Sequence, residues 1–302
     1  MNRNNERRDV YQMITDRIIE QLEEGVVPWK KPWTEGGLPC NLITLKPYRG
    51  INILLLSSLR YSKNYFLSFR QVQLLGGKIR RGERSHLVVF AKKREIFDEQ
   101  ENEFKIISFL KYYLVFNVDQ CEGIESLLPP LRKVNDPIVR CERIVERMPN
   151  KPAIVFNENE AYYSPSLDII NMPAMGEFTD SESYYDTLFH ELIHSTGHER
   201  RLNRFEIAVP NHVGSESYSV EEMTAEIGAC LLKSYAGIAT DKFKNNASYI
   251  QHYLDLLRND KRFIVYAASR AQHATDYILN FGTDEADPIA EQAIHEEMEV
   301  AK

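Results

Sequence analysis

The sequence predicts an α+β protein of two domains: a mixed α and β domain over residues 1–130, and a mainly helical domain with a small antiparallel sheet over residues 131–302. Three observations lead there. Residues 1–120 carry 20 Lys and Arg against 14 Asp and Glu, whereas residues 121–302 carry 17 against 30, so the halves differ by sign of charge. Between Gly123 and Asp136 the run Leu127-Leu128-Pro129-Pro130 reads as a proline-marked connection. The apolar pattern also changes, from mixed strand-like and helical stretches before that point to mostly helical spacing after it.

In chain order, Val10, Met13, Ile14, Ile18, Ile19 and Leu22 recur at helical spacing and predict a helix from about Arg8 to Glu24, stopped by Gly25. A helix near Ile51–Arg60 follows. Leu87–Ala91 and Lys111–Val118 read as strands around a polar hairpin at Asp98–Glu103. The second half opens with a helix at Ile138–Arg147 and strand-like Ala153–Phe156 and Ala161–Pro165, joined through a turn at Asn157-Glu158-Asn159. Helices are then expected at Ser181–Ser195, Val220–Leu232, from Ser248 to Asp255 or beyond, and Arg262–Leu279, with an acidic tail from about residue 283.

With 43% apolar and 27% charged residues, the chain has the composition of a globular protein. Basic residues near the N-terminus are followed by no apolar stretch, so no export signal is expected. The most apolar run, Ile51–Leu59, is interrupted by Asn52, Ser57 and Ser58 and is too short to cross a bilayer. Cys40, Cys121, Cys141 and Cys230 form no CxxC pair and read as free thiols, which fits a cytoplasmic location.

The strongest chemical signal is His190-Glu191-Leu192-Ile193-His194. Zinc needs neutral imidazole nitrogens aimed at one point, and histidines four apart on a helix lie one turn above each other. Thr179 and Glu182 offer a capping box for that helix, and Tyr185, Leu188, Phe189, Leu192 and Ile193 give it an apolar side. Gly197 is a natural stop. Glu191 is placed to take a proton from a water that the metal activates. By composition, about 0.03 such motifs would arise by chance.

A third ligand is needed. Gly197 fits the metzincin pattern HExxHxxGxxH, but Arg200 stands where its last histidine belongs, and His198 is out of step. The segment Val220-Glu221-Glu222-Met223-Thr224-Ala225-Glu226 resembles the second-ligand helix of gluzincins. That resemblance implies Glu222 as ligand and Glu226 as the acid supporting a histidine, while Glu221 stays open as the ligand because the helix phase is unknown. Tyr218, His212, His252 and His273 are weaker candidates for stabilising an oxyanion.

The first half has a different character. Within residues 30–94, 14 basic residues face only Glu35 and Glu83, which suggests a polyanion partner. Single-stranded nucleic acid is held by cations on phosphates and aromatic rings under bases. Trp29, Lys30, Lys31 and Trp33 combine both, and Asn41, Lys46, Tyr48, Arg49, Asn52, Arg70 and Lys78 extend the set. Residues 1–130 alone are expected to bind it.

Tyr11–Trp33 (YQMITDRIIEQLEEGVVPWKKPW), Pro47–Asn52 (PYRGIN), Phe66–Gln71 (FLSFRQ), Gly76-Gly77-Lys78, Gly82-Glu83 and Val115-Phe116-Asn117 resemble the N-terminal domain of ArdC-type antirestriction proteins. Phe189–His198 (FHELIHSTGH), Arg201–Arg204 (RLNR) and Tyr218–Glu226 resemble that family's metallopeptidase domain. Ser68 departs mildly, where the family often has threonine. The resemblance covers nearly the whole chain. It implies a single-stranded-DNA-binding domain joined to a zincin-like domain, carried by conjugative plasmids or related mobile elements and protecting incoming DNA from host restriction. The expected function is a Zn2+-dependent, or alternatively Mn2+-dependent, endopeptidase tethered to single-stranded DNA; its protein substrate stays open, with a host restriction component as one candidate. The competing expectation is a DNA-coating protein whose metal domain is a scaffold. Glu191 favours the enzyme, because a structural site has no use for a base between its histidines.

Overall fold

A computed structural model of the chain describes residues 9–29, 37–59, 61–98, 103–129, 137–204, 216–238 and 247–281. Helix α1, Val10–Glu23, is capped by Asp9, whose carboxylate accepts from the Tyr11 and Gln12 amides. Its apolar stripe buries Ile14, Ile18 and Leu22. After it come β1 (Cys40–Asn41), α2 (Ile51–Ser57), β2 (Tyr65–Ser68), α3 (Phe69–Leu74), β3 (Lys78–Ile79), β4 (His86–Asp98), β5 (Glu103–Asn117) and β6 (Cys121–Glu122). One sheet has the order β1-β2-β5-β4, with β1 parallel to β2 and the other pairs antiparallel, and β3 pairs with β6. The β4–β5 hairpin is far longer than the apolar stretches 87–91 and 111–118, because its outer half includes the charged run Lys92-Lys93-Arg94-Glu95, which carries no apolar alternation to mark a strand. The short β1, β3 and β6 lie below the length at which periodicity can be read.

The second half comprises α4 (Pro137–Arg147), β7 (Ala153–Val155), β8 (Tyr162–Ser164), β9 (Ile169–Asn171), α5 (Ser181–Ser195), α6 (Glu216–Ala236), α7 (Ala247–Asn259) and α8 (Phe263–Leu279). Its sheet has the order β7-β9-β8, with β8 antiparallel and β7 parallel to β9, so the two expected strands do not pair with each other but flank a third, Ile169–Asn171, that was not expected. The two-domain α+β class therefore holds, with a mixed rather than wholly antiparallel small sheet. No described helix is long and apolar enough to cross a membrane. Cys121, Cys141 and Cys230 are buried free thiols, and Cys40 is partly exposed.

The halves share a core. Ile14, Ile18, Leu22, Ile51, Leu54 and Trp29 pack with Met223, Ile227 and Leu231 of α6, with Tyr253, Leu254 and Leu257 of α7, and with Ile264, Ala267 and Ala271 of α8. Polar contacts cross the same boundary: Thr15 Oγ1 donates to Lys261 O at 2.8 Å, Gly50 N to Gln272 Oε1 at 2.8 Å, and Arg49 pairs with Asp276.

This packing corrects part of the expected nucleic-acid set. Trp29 is fully buried, its indole N–H donating to Tyr249 Oη at 2.9 Å and its ring lying edge-on to Tyr253, so it anchors the core and cannot stack on a base. Tyr48 is buried edge-on to Phe66. Asn52 both donates to Val89 O and accepts from Val89 N, closing the outer edge of β4, which would otherwise leave backbone groups unpaired. Asn41 is buried and holds the following turn through the Ile43 and Thr44 amides. Arg49 is committed to Asp276. Lys46, Arg70 and Lys78 are exposed. Lys30, Lys31, Trp33 and the acidic tail lie outside the described residues.

Trp29→Ala should therefore destabilise the protein by about 3–5 kcal/mol, measured by urea unfolding, and a fragment of residues 1–130 should fail to unfold cooperatively because its half of the shared core is uncovered. Cooperative unfolding of that fragment in a calorimeter would show that the shared core is dispensable.

Candidate metal centre

Helix α5 starts at Asp180, whose carboxylate accepts from Ser183 N at 2.8 Å, so the cap falls one residue after the expected Thr179. Leu188, Phe189, Leu192 and Ile193 bury one side of α5, and His190 and His194 project one above the other with their Nε2 atoms 3.1 Å apart. Helix α6 supplies the third donor: Glu222 Oε2 lies 3.6 Å from His190 Nε2, and Glu222 Oε1 lies 3.5 Å from His194 Nε2. Donors at the corners of a tetrahedron with bonds of about 2.1 Å are about 3.4 Å apart. The three side chains thus have the spacing of a single divalent cation's ligands, and among the described residues they form a cluster suited to one. Glu191 is only 8% exposed, and its negative charge bears on the His194 ring.

Behind the donors sits a buried ionic network. His194 Nδ1 is 3.1 Å from Glu221 Oε1, and Arg204 grips the same carboxylate with two hydrogen bonds, Nε to Oε2 at 2.9 Å and Nη2 to Oε1 at 2.6 Å. Arg204 also donates to Thr196 Oγ1 at 2.6 Å and to Ile193 O at 2.8 Å, tying the end of α5 to the carboxylate that orients its second histidine. Arg201 steadies this turn by donating to Ser195 O at 2.6 Å and pairing with Asp168. Burial pushes the Glu221 carboxyl up, but the hydrogen bonds from His194 and Arg204 outweigh it and hold its pKa at about 2. For His194, burial acts downward, and the contact with Glu221, aided by the charges of Glu222 and Glu191, raises it above the ordinary imidazole value.

The carboxylate that contacts the far nitrogen of His194 is Glu221. Glu226 lies one turn beyond Glu222 on α6, and its charge bears on Tyr249. Glu221 points at the far nitrogen of His194, and Glu222 at the near ones. His252 is exposed with its ring edge-on to Tyr253, and His273 is exposed on α8. Neither joins the cluster. His212 and the Tyr218 side chain lie outside the described residues.

Two residues went unnoticed as site builders. Arg204 ends the Arg201–Arg204 segment, but charge alone gave no reason to bury it. Gly228 is an isolated glycine inside a helix, a position that costs about 1 kcal/mol against alanine and so needs a packing reason. A Cβ there would come within 2.5 Å of Ile193 Cδ1 and 2.7 Å of Ile193 Cγ1. That signal was legible.

Comparison with known proteins agrees with this geometry. Residues 140–270 match the family model of the zincin-like metallopeptidases, and residues 8–116 match that of the N-terminal domain of anti-restriction factor ArdC. The metal-free crystal structure of the antirestriction ArdC protein from plasmid R388 shares 37% identity, covering 89% of this chain and 96% of that one, with a TM-score of 0.72. The Mn(II)-bound structure of the same protein gives 36% identity, 92% and 100% coverage, and a TM-score of 0.71. An uncharacterized protein, y4eC, of Sinorhizobium fredii is 33% identical over 285 residues, 89% of this chain and 91% of that protein. The DNA primase TraC of Escherichia coli is 31% identical over 320 residues, which take in 98% of this chain but only 29% of the primase. Fold and site define a two-domain protein whose C-terminal part is zincin-like. The chain belongs to the ArdC antirestriction family.

His190→Ala and Glu222→Ala should each lose bound divalent metal by elemental analysis, whereas Glu226→Ala should keep it. Gly228→Ala should weaken metal uptake even though alanine favours the helix, because the buried Ile193 beside His194 must shift. Arg204→Met should cost about 3–5 kcal/mol, since it leaves the Glu221 charge buried without its partner. Because the Glu221 pKa is lowered on folding from 4.5 to about 2, its contribution is present above pH 4.5 and is lost as the pH falls toward 2. In metal-free protein, Glu221→Gln should flatten the acid unfolding limb in that window.

Proposed function

We propose that this protein is a zinc-dependent endopeptidase tethered to single-stranded DNA, acting in the cytoplasm on a host protein that meets incoming mobile-element DNA, with restriction components as the substrate class. The observation that carries the peptidase reading is the convergence of His190, His194 and Glu222, beside a buried Glu191 whose charge bears on His194. Those three side chains would hold the cation. When bound, it would polarise a peptide carbonyl and acidify water. Glu191 is the carboxylate on hand to accept the proton of the attacking water and pass it to the leaving amine. Glu221 holds the His194 ring in one orientation, and Arg204 keeps Glu221 charged.

The DNA half of the proposal rests on the excess of basic residues in the first half, on the match to the ArdC N-terminal domain, and on the likeness to part of a protein named as a DNA primase. In this reading, residues 1–130 and 131–302 divide the labour while sharing a core.

Glu191→Gln should retain metal, fold and DNA affinity while losing proteolysis by about 10²–10⁴-fold, because the amide fills the space but cannot accept a proton. The measurement is a survey of new protein N-termini in a bacterial extract incubated with the metal-loaded protein. Identical cleavage products from wild type and Glu191→Gln would remove the base assignment, and no metal-dependent products from the wild type would favour the scaffold reading.

A further inference from the structure

The buried position of Trp29 removes the expected stacking residue from the surface, so single strands need another platform. Two segments of the first half leave apolar side chains exposed beside cations. In the turn after β1, Ile43 and Leu45 are exposed, Leu45 to 55%, and Lys46 follows. Leu45 has a φ of +56°, disfavoured for a leucine. It is held there by its amide donating to Asn41 O at 2.9 Å, while Asn41 N donates to Lys46 O at 3.0 Å. The turn is joined to α3 by Asn41 Nδ2 donating to Gln71 Oε1 at 3.1 Å. On α3, Val72 faces the core, and the exposed arc carries Phe69 (52%), Arg70 and Leu74 (80%). Leu42 and Val72 sit in the same small core, so turn and helix are one rigid unit.

Across residues 37–84 there are nine Lys and Arg and a single acid, Glu83. Exposed apolar side chains on such a basic ground suit a partner that is anionic and also presents apolar faces, and unstacked nucleic acid is that chemistry. We propose that the Asn41–Lys46 turn and the exposed arc of α3 form the surface that takes up single-stranded DNA, with Phe69 under a base and Lys46 and Arg70 on phosphates. This rests on the DNA-binding reading above and gives it a location. The β4–β5 hairpin is the weaker candidate. Its exposed Phe97 and Phe104 are flanked by Asp98 and Glu103, which repel phosphate.

The test is fluorescence anisotropy of a labelled oligothymidylate with the full chain at two salt concentrations. Lys46→Gln/Arg70→Gln should weaken binding at least about tenfold at low salt and reduce the slope of log affinity against log salt by about 1.4. Phe69→Ala should weaken it by about 5- to 150-fold. Lys93→Gln/Arg94→Gln on the hairpin, which removes equal charge, should leave affinity nearly unchanged. Unaltered melting temperatures identify the loss as one of contact. Wild-type affinity in Lys46→Gln/Arg70→Gln, or a larger loss in the hairpin variant, overturns the location while leaving DNA binding intact. Equal affinity for duplex overturns the base-stacking role of Phe69. No binding by the wild type overturns the DNA reading and the location with it.

Discussion

A methyl group at position 228 would press to within 2.5 Å of the Ile193 side chain, so it is glycine there that lets α5 and α6 cross at their present spacing with Ile193 in its present place. Everything at the site follows from that close approach. Gly228 lies two turns along α6 from Glu221, on the same face, and Ile193 is the residue before His194. The crossing therefore sets how far the carboxylates of one helix stand from the imidazoles of the other. Glu222 reaches both Nε2 atoms at about equal distance, and Glu221 reaches around to Nδ1. An ångström of separation would break both relations, since charge-assisted hydrogen bonds and metal coordination tolerate only a few tenths.

Helix α6 is also the element through which the halves meet. One face carries the donors, and Met223, Ile227 and Leu231 on another enter the core that α1, α2 and Trp29 help to build. The site helix is thus braced from behind by the N-terminal half, and the Arg49–Asp276 and Gly50–Gln272 contacts fasten that half to α8. Folding cannot be assigned to either half separately.

The ionic network solves an electrostatic problem. Several carboxylates converge beside two histidines in a partly buried place, where unpaired charge is expensive. Arg204 neutralises the most deeply buried of them, Glu221, with a two-pronged grip.

Much of this was readable beforehand. The helix Ser181–Ser195 and the pairing of His190 with His194 are consequences of local geometry: four residues make one turn whatever surrounds them, so an i, i+4 pair with an apolar flank suffices. The charge contrast between halves and the long helices followed from composition and period alone. Which acid completes the cluster depends on the phase and offset of α6 against α5. That is a property of packing, and it set Glu222 against both Nε2 atoms and Glu221 against the far nitrogen of His194. Aromatic and amide side chains in a basic stretch serve a core as well as a nucleic acid, and only burial separates the two uses. Trp29, Tyr48, Asn41 and Asn52 went inside because edge strands, turns and a shared core needed them, a requirement set by residues more than two hundred positions away in the case of Trp29 and Tyr249.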